Sequence, residues 1–172
     1  MSPDIPEIDD CCDKEPYAFY GLAAYWSQVL EHSAINLALI LKLPEVNLVD
    51  QELFDELFKS LTKKTFGRLL TISKGVLELT EEDERFLNET LELRNILVHH
   101  YFREHAEDLI SEVGRQAMQK ELQLIISKFK RADSILEKLY APLWGKYGVT
   151  DESIELELQK MLKAAELRDE NV

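Results

Sequence analysis

An all-α bundle of about five to six helices is what this 172-residue sequence predicts. Three observations carry that expectation. Apolar residues recur at helical spacing through most of the chain, and no segment alternates with period two for long enough to form a strand. Six Gly and five Pro leave little room for a loop-rich all-β fold. Long amphipathic segments joined by short connections then give an up-and-down bundle, because each helix must bury its stripe against another.

Residues 1–15 are expected to be an acidic flexible arm, with Pro3, Pro6 and a run of acids and little to bury. The bundle proper is placed over residues 16–148. Its first helix starts near Glu15, since Pro16 is tolerated in a first turn. It runs to Leu43, where Pro44 stops it. The stripe Phe19, Leu22, Trp26, Val29, Leu30, Leu37, Ile40 and Leu41 has the helical period, and the helix is about 40 Å long. Ser33 and Asn36 interrupt the stripe and are expected to be hydrogen-bonded core residues.

Asp50 is a suitable N-cap for a short second helix carrying Phe54, Leu57, Phe58 and Leu61. Thr65 caps a third segment that frays at Ser73-Lys74-Gly75. Thr80-Glu81-Glu82-Asp83 has the form of a capping box, with acids where the helix dipole favours them. It opens a fourth helix bearing Phe86, Leu87, Thr90, Leu91, Leu97 and Val98. A long helix is expected from about Glu104 to Tyr140, with Leu109, Ile110 and Val113 on its stripe, a bend at Gly114 and an end at Pro142. Thr150 caps a final acidic helix over residues 149–172, packing on or extending the bundle through Ile154, Leu158, Met161, Leu162 and Ala165.

The formal net charge is −13, which argues against nucleic acid as a partner. The way the charge is distributed weakens that objection. Residues 1–15 carry six acids and one base, residues 150–172 seven acids and three bases, and residues 16–149 twenty acids and sixteen bases. The ends thus hold −9 of the −13, as solvated tails commonly do. Cys11 and Cys12 are the whole cysteine complement, which cannot make a disulfide framework and fits a reducing compartment. No apolar run approaches the roughly 20 residues of a membrane span. The amino terminus lacks the basic start and apolar core of a signal peptide, so a cytoplasmic location is expected.

The informative stretch is Leu91-Glu92-Leu93-Arg94-Asn95-Ile96-Leu97-Val98-His99-His100-Tyr101-Phe102, near the end of the fourth helix. Arg is permanently charged and grips a phosphate with two donors, stabilising charge that builds up during cleavage. Imidazole titrates near neutrality and can take a proton from an RNA 2′-hydroxyl or give one to the leaving oxygen. Asn95 can orient either group.

Arg94-Asn95, three residues and then His99-His100-Tyr101 resembles the signature of the HEPN superfamily: Arg, a polar residue, three to five more, then His. The variant with Tyr two places after the His is also met. The comparable region is about residues 16–140. The resemblance implies a metal-independent endoribonuclease with no cofactor, of the kind found as toxins in toxin–antitoxin or phage-defence systems. By the same resemblance, Arg94, Asn95 and His99 are catalytic, with His100 the alternative imidazole. Tyr101 is the position that a nucleotidyltransferase-type antitoxin modifies with AMP. Other members of the superfamily have lost catalysis and act as protein- or nucleotide-binding or dimerisation modules.

Geometry adds its own constraint. At about 100° per residue, His99 lies about 140° round an ideal helix from Arg94, and His100 about 120° the other way. Either the helix breaks near Val98, or a second copy completes the site. Superfamily enzymes use the second arrangement, and Tyr101 and Phe102 suit such an interface, so a homodimer acting on RNA is expected. Lys63, Lys64, Arg68, Arg103 and Arg115 are the basic residues available for RNA-backbone contacts. The bland alternative pairs Arg94 with Glu89, Glu92 or Glu104 and leaves the histidines capping a helix end. His99, His100, His105 and Glu104 match no standard zinc spacing, so no metal is expected. His32 stands alone on the first helix and reads as a surface or core residue.

Overall fold

The computed structural model describes residues 14–74 and 79–169. The acidic arm before Lys14, with its two cysteines, and the expected fraying at Gly75 lie outside the described residues. Those residues form seven α-helices and no strand: α1 Glu15–Ile40, α2 Gln51–Leu61, α3 Phe66–Lys74, α4 Glu81–His99, α5 Tyr101–Glu104, α6 Glu112–Trp144 and α7 Asp151–Asp169.

Local chemistry sets the helix starts. Pro16 sits in the first turn of α1, where its missing N–H costs nothing. The Asp50 carboxylate accepts the Leu53 N–H at 2.8 Å and opens α2. Thr80 accepts the Asp83 N–H at 3.1 Å and donates its hydroxyl to the Asp83 carboxylate at 2.8 Å. Glu81, Glu82, Asp83 and Glu84 then fill the first turn of α4, facing its positive end. A cap of this kind contributes about 1 kcal/mol.

The core forms between α1 and α6. Leu30 and Leu37 of α1 and Leu122, Ile126, Phe129 and Leu136 of α6 are fully buried, each contributing roughly 1.5–3 kcal/mol. Ala34 and Ala38 in α1 and Ala132 in α6, also fully buried, fill the seam with small side chains. Contacts advance together along both helices: Lys130 lies over the Trp26 ring at 5.0 Å, Ser33 donates to Asp133, and Tyr147 donates to the Pro44 carbonyl at 2.7 Å. α1 and α6 therefore run parallel. α4 runs the other way, with Glu82 and Phe86 near Arg131 and Tyr101 near Met118. This is the relation an up-and-down bundle requires of α1, α4 and α6. Ser33 and Asn36 are the hydrogen-bonded interruptions expected, Ser33 to Asp133 and Asn36 to Tyr140.

Four boundaries differ from expectation. α1 ends at Ile40 rather than Leu43, because Leu43 precedes Pro44 and the chain tightens into a turn before it. The helix expected from about Glu104 is interrupted: α5 stops at Glu104, a 3-10 turn covers Asp108–Ile110, and Ser111 caps α6 by accepting the Gly114 N–H at 3.0 Å. Gly114 does not bend α6 but lets this turn lie on it, since a Cβ there would sit 2.3 Å from the Asp108 carbonyl oxygen. Ile110 and Val113, expected on the buried stripe, are 83% and 78% exposed in consequence. Pro142 lies inside α6, which runs on to Trp144.

α7 extends the bundle rather than packing along it. Thr150 and Ser153 cap each other, Thr150 N–H to Ser153 Oγ at 2.9 Å and Ser153 N–H to Thr150 Oγ1 at 3.3 Å. Val149, Asp151 and Ile154 reach a cavity beside Trp144, but α7 buries no residue and Leu158, Met161 and Leu162 are exposed. Among the described residues, no helix is long and apolar enough to cross a membrane.

Candidate functional site

Arg94 leaves α4 toward α1, not toward its own helix neighbours. Its Nη2 donates to both oxygens of Glu31, at 3.2 and 3.4 Å, and its Nη1 reaches the Asn95 side-chain oxygen at 3.4 Å. The acids nearer in sequence, Glu89, Glu92 and Glu104, are not its partners. Arg94 and Glu31 are 21% and 27% exposed, so the pair is wet enough to be exchanged. The Nε of Arg94 is buried with no hydrogen-bond partner among the described residues, leaving one donor of the fork uncommitted.

This pair lies on the wall of an open cavity of about 550 Å³. α1 contributes Tyr20, Ala24, Ser27, Gln28, Glu31, His32 and Ile35, the end of α2 contributes Thr62, and α4 contributes Arg94 and Val98. Hydroxyl, amide, imidazole and guanidinium groups thus surround a space large enough for a phosphate and part of a nucleotide.

The rest of the motif goes elsewhere. His99 is the last residue of α4 and His100 joins α4 to α5; both are exposed, their rings edge-on with centroids 6.1 Å apart. Neither lines the Arg94 cavity. The helix continues through Val98 and His99 and breaks only at His100, whose φ of −132° and ψ of −19° are not helical. Asn95 is exposed beside Arg94.

Tyr101 points inward. It is 1% exposed, its hydroxyl donates to the Met118 carbonyl at 3.2 Å, and Glu121 Oε2 lies at 3.5 Å. Burial, with the Glu121 and Asp108 carboxylates adding to it, pushes its phenol well above the usual tyrosine range. His105 stacks on Tyr101 at 4.5 Å and lies between Asp108 at 2.8 Å and Glu121 at 3.0 Å. The phenol expected to receive AMP is therefore enclosed, and transfer to it requires α5 to lift off α6.

Of the basic residues, Lys63, Arg68 and Arg103 are exposed and Lys64 is half-buried. Thr62 on the cavity wall places the Lys63-Lys64 turn next to the site. Arg103 and Arg68 do not line the cavity, and Arg115 donates to the Leu109 carbonyl at 3.2 Å.

Glu31, Gln28 and Thr62 are the residues that sequence reasoning passed over, and His32, read there as a surface or core residue, is exposed on the cavity wall. Gln28, Glu31, His32 and Ile35 follow helical spacing on α1, where Gln28 and His32 continue the exposed face of Tyr17, Gly21 and Tyr25. That stripe was the available signal. Comparison with known protein families, curated proteins and solved structures finds no match to this chain.

Proposed function

We propose that this chain is a metal-independent endoribonuclease of HEPN type, acting as a homodimer whose composite site joins Arg94 of one protomer to His99 of the other. The carrying observation is the disposition of these two groups. Arg94 lines an open cavity and has an exchangeable carboxylate partner. His99 stands outside that cavity on the exposed end of α4, beside Ile96 and Val98, each 41% exposed. An apolar edge flanking an unused imidazole suits the approach of a second copy related by two-fold symmetry.

In this reading a phosphodiester displaces Glu31 from the guanidinium. The RNA 2′-oxygen attacks phosphorus as imidazole takes its proton, a 2′,3′-cyclic phosphate forms, and the 5′-oxygen leaves with a proton from a general acid. Arg94 stabilises the charge on the non-bridging oxygens, and Asn95 orients it. The Lys63-Lys64 turn carries the adjacent backbone. A toxin role, with a nucleotidyltransferase-type antitoxin as partner, belongs to the same proposal.

The Glu31–Arg94 pair favours a second reading, a catalytically silent HEPN-like module that binds a protein or nucleotide, because a neutralised guanidinium is a weaker phosphate ligand. RNA cleavage in EDTA separates the two. The parent should cut, and Arg94→Ala or His99→Ala should lose at least 100-fold while remaining folded and dimeric. Equal cutting by both variants, or none by the parent, refutes the nuclease reading.

A further inference from the structure

We infer that His32 is the second proton-transfer group of this site, working beside Arg94 of the same protomer while His99 arrives from the partner copy. This rests on the ribonuclease reading. The chemistry calls for two groups, one to take the 2′-hydroxyl proton and one to protonate the 5′-oxygen as the P–O bond breaks. The motif's two imidazoles, His99 and His100, both stand exposed at the end of α4 and neither lines the protomer's own cavity. Within the protomer, His32 is the imidazole on the wall shared with Arg94.

The placement follows from α1. Glu31 pairs with Arg94 at 3.2 Å, and His32, the next residue of α1, lines the same cavity. His32 is exposed rather than packed, and no hydrogen bond or ion pair holds its ring among the described residues. It also borders the neighbouring cavity of about 370 Å³ with Gln28, Ser33 and Asp133, so its ring has open space on both sides. A histidine kept for packing would be enclosed or bonded, like His105 between its two carboxylates. His32 is free to meet a bound phosphodiester, and α1 is rigid enough to hold it near one.

Cleavage assays on the full chain in EDTA test this, using the parent, His32→Ala and two equimolar mixtures of variants refolded or exchanged together. His32→Ala should cut at least 100-fold more slowly, with an unchanged circular-dichroism spectrum and melting temperature. Arg94→Ala mixed with His99→Ala should recover about a quarter of parental activity, since half the dimers are mixed and one of their two sites is complete. Arg94→Ala mixed with His32→Ala should recover nothing, because those two residues serve the same protomer's site. A loss under tenfold in His32→Ala, or recovery in the second mixture, overturns the inference and leaves the ribonuclease reading standing. If the parent does not cut, the ribonuclease reading falls and this inference falls with it.

Discussion

Arg94 and Tyr101 belong to one continuous stretch, yet they end in opposite surroundings. Around Tyr101 the polar groups are spent on one another: hydroxyl to Met118 and Glu121, Glu121 and Asp108 to His105, with aromatic faces packed between. Around Arg94 they are left open, with a guanidinium that has an exchangeable partner and solvent-accessible space in front. A satisfied network specifies structure, while an under-committed cation beside a cavity is poised to bind. The change occurs at His100, where the backbone leaves the helix and turns the next side chain into the core.

The comparison breaks first at Tyr101. Truncating this buried ring in Tyr101→Ala should cost about 3–5 kcal/mol, read as a lower urea midpoint with little change in slope. The ring touches Tyr20, Phe102 and His105, so α5 should loosen before the rest of the bundle. A loss below about 1 kcal/mol would show that α5 contributes little to the fold.

A titration sharpens the same side. Tyr101 and Tyr140 both have phenols raised above the ordinary value of 10.0, in each case chiefly by burial. A raised folded-state pKa means the unfolded chain loses the proton first. The contribution is therefore whole below pH 10 and is lost as pH climbs from there toward the folded values, at up to about 1.4 kcal/mol per pH unit per group. Tyr101→Phe should begin about 1 kcal/mol less stable through the missing hydrogen bond. It should then lose about 1 kcal/mol less than the parent between pH 10 and 11. Parallel curves for the two proteins would show that the Tyr101 hydroxyl does not carry the effect.

What the sequence could reveal follows how local each cause is. Asp50, Thr80 and Pro16 act within a turn of their own positions, and the helix starts they predict are where they fall. The break between α5 and α6 depends on Gly114 accepting the backbone of Asp108, a contact that apolar spacing alone does not register, so Leu109, Ile110 and Val113 read as one continuing stripe. Pro142 failed as a stop because near a helix end it removes a single hydrogen bond while packing beside Trp144 holds the turn. Ile154, Leu158, Met161 and Leu162 of α7 also recur at helical spacing, and spacing cannot say which apolar residues find a partner. For the site, Arg94 stood out by residue type. Its partner Glu31 lies 63 positions away on a face defined only once α1 meets α4, and His32 came into view with it.

The smallest expected effect is the most telling. Arg94→Ala should change stability by less than about 1 kcal/mol, since the pair it breaks is partly exposed and such pairs contribute little. Two further terms offset part of that loss. Glu31, 27% exposed, regains water once the guanidinium is gone. The buried Nε, which has no hydrogen-bond partner among the described residues, no longer has to be desolvated. A residue held for packing or for a buried ion pair would not behave this way, and its loss would register beside Tyr101→Ala in the same urea titration. Near-neutral stability together with a lost activity would mark Arg94 as retained for binding at a cost the fold hardly feels. A loss of about 3 kcal/mol or more would place Arg94 with Tyr101 as a member of the scaffold and erase the distinction between the two ends of the stretch.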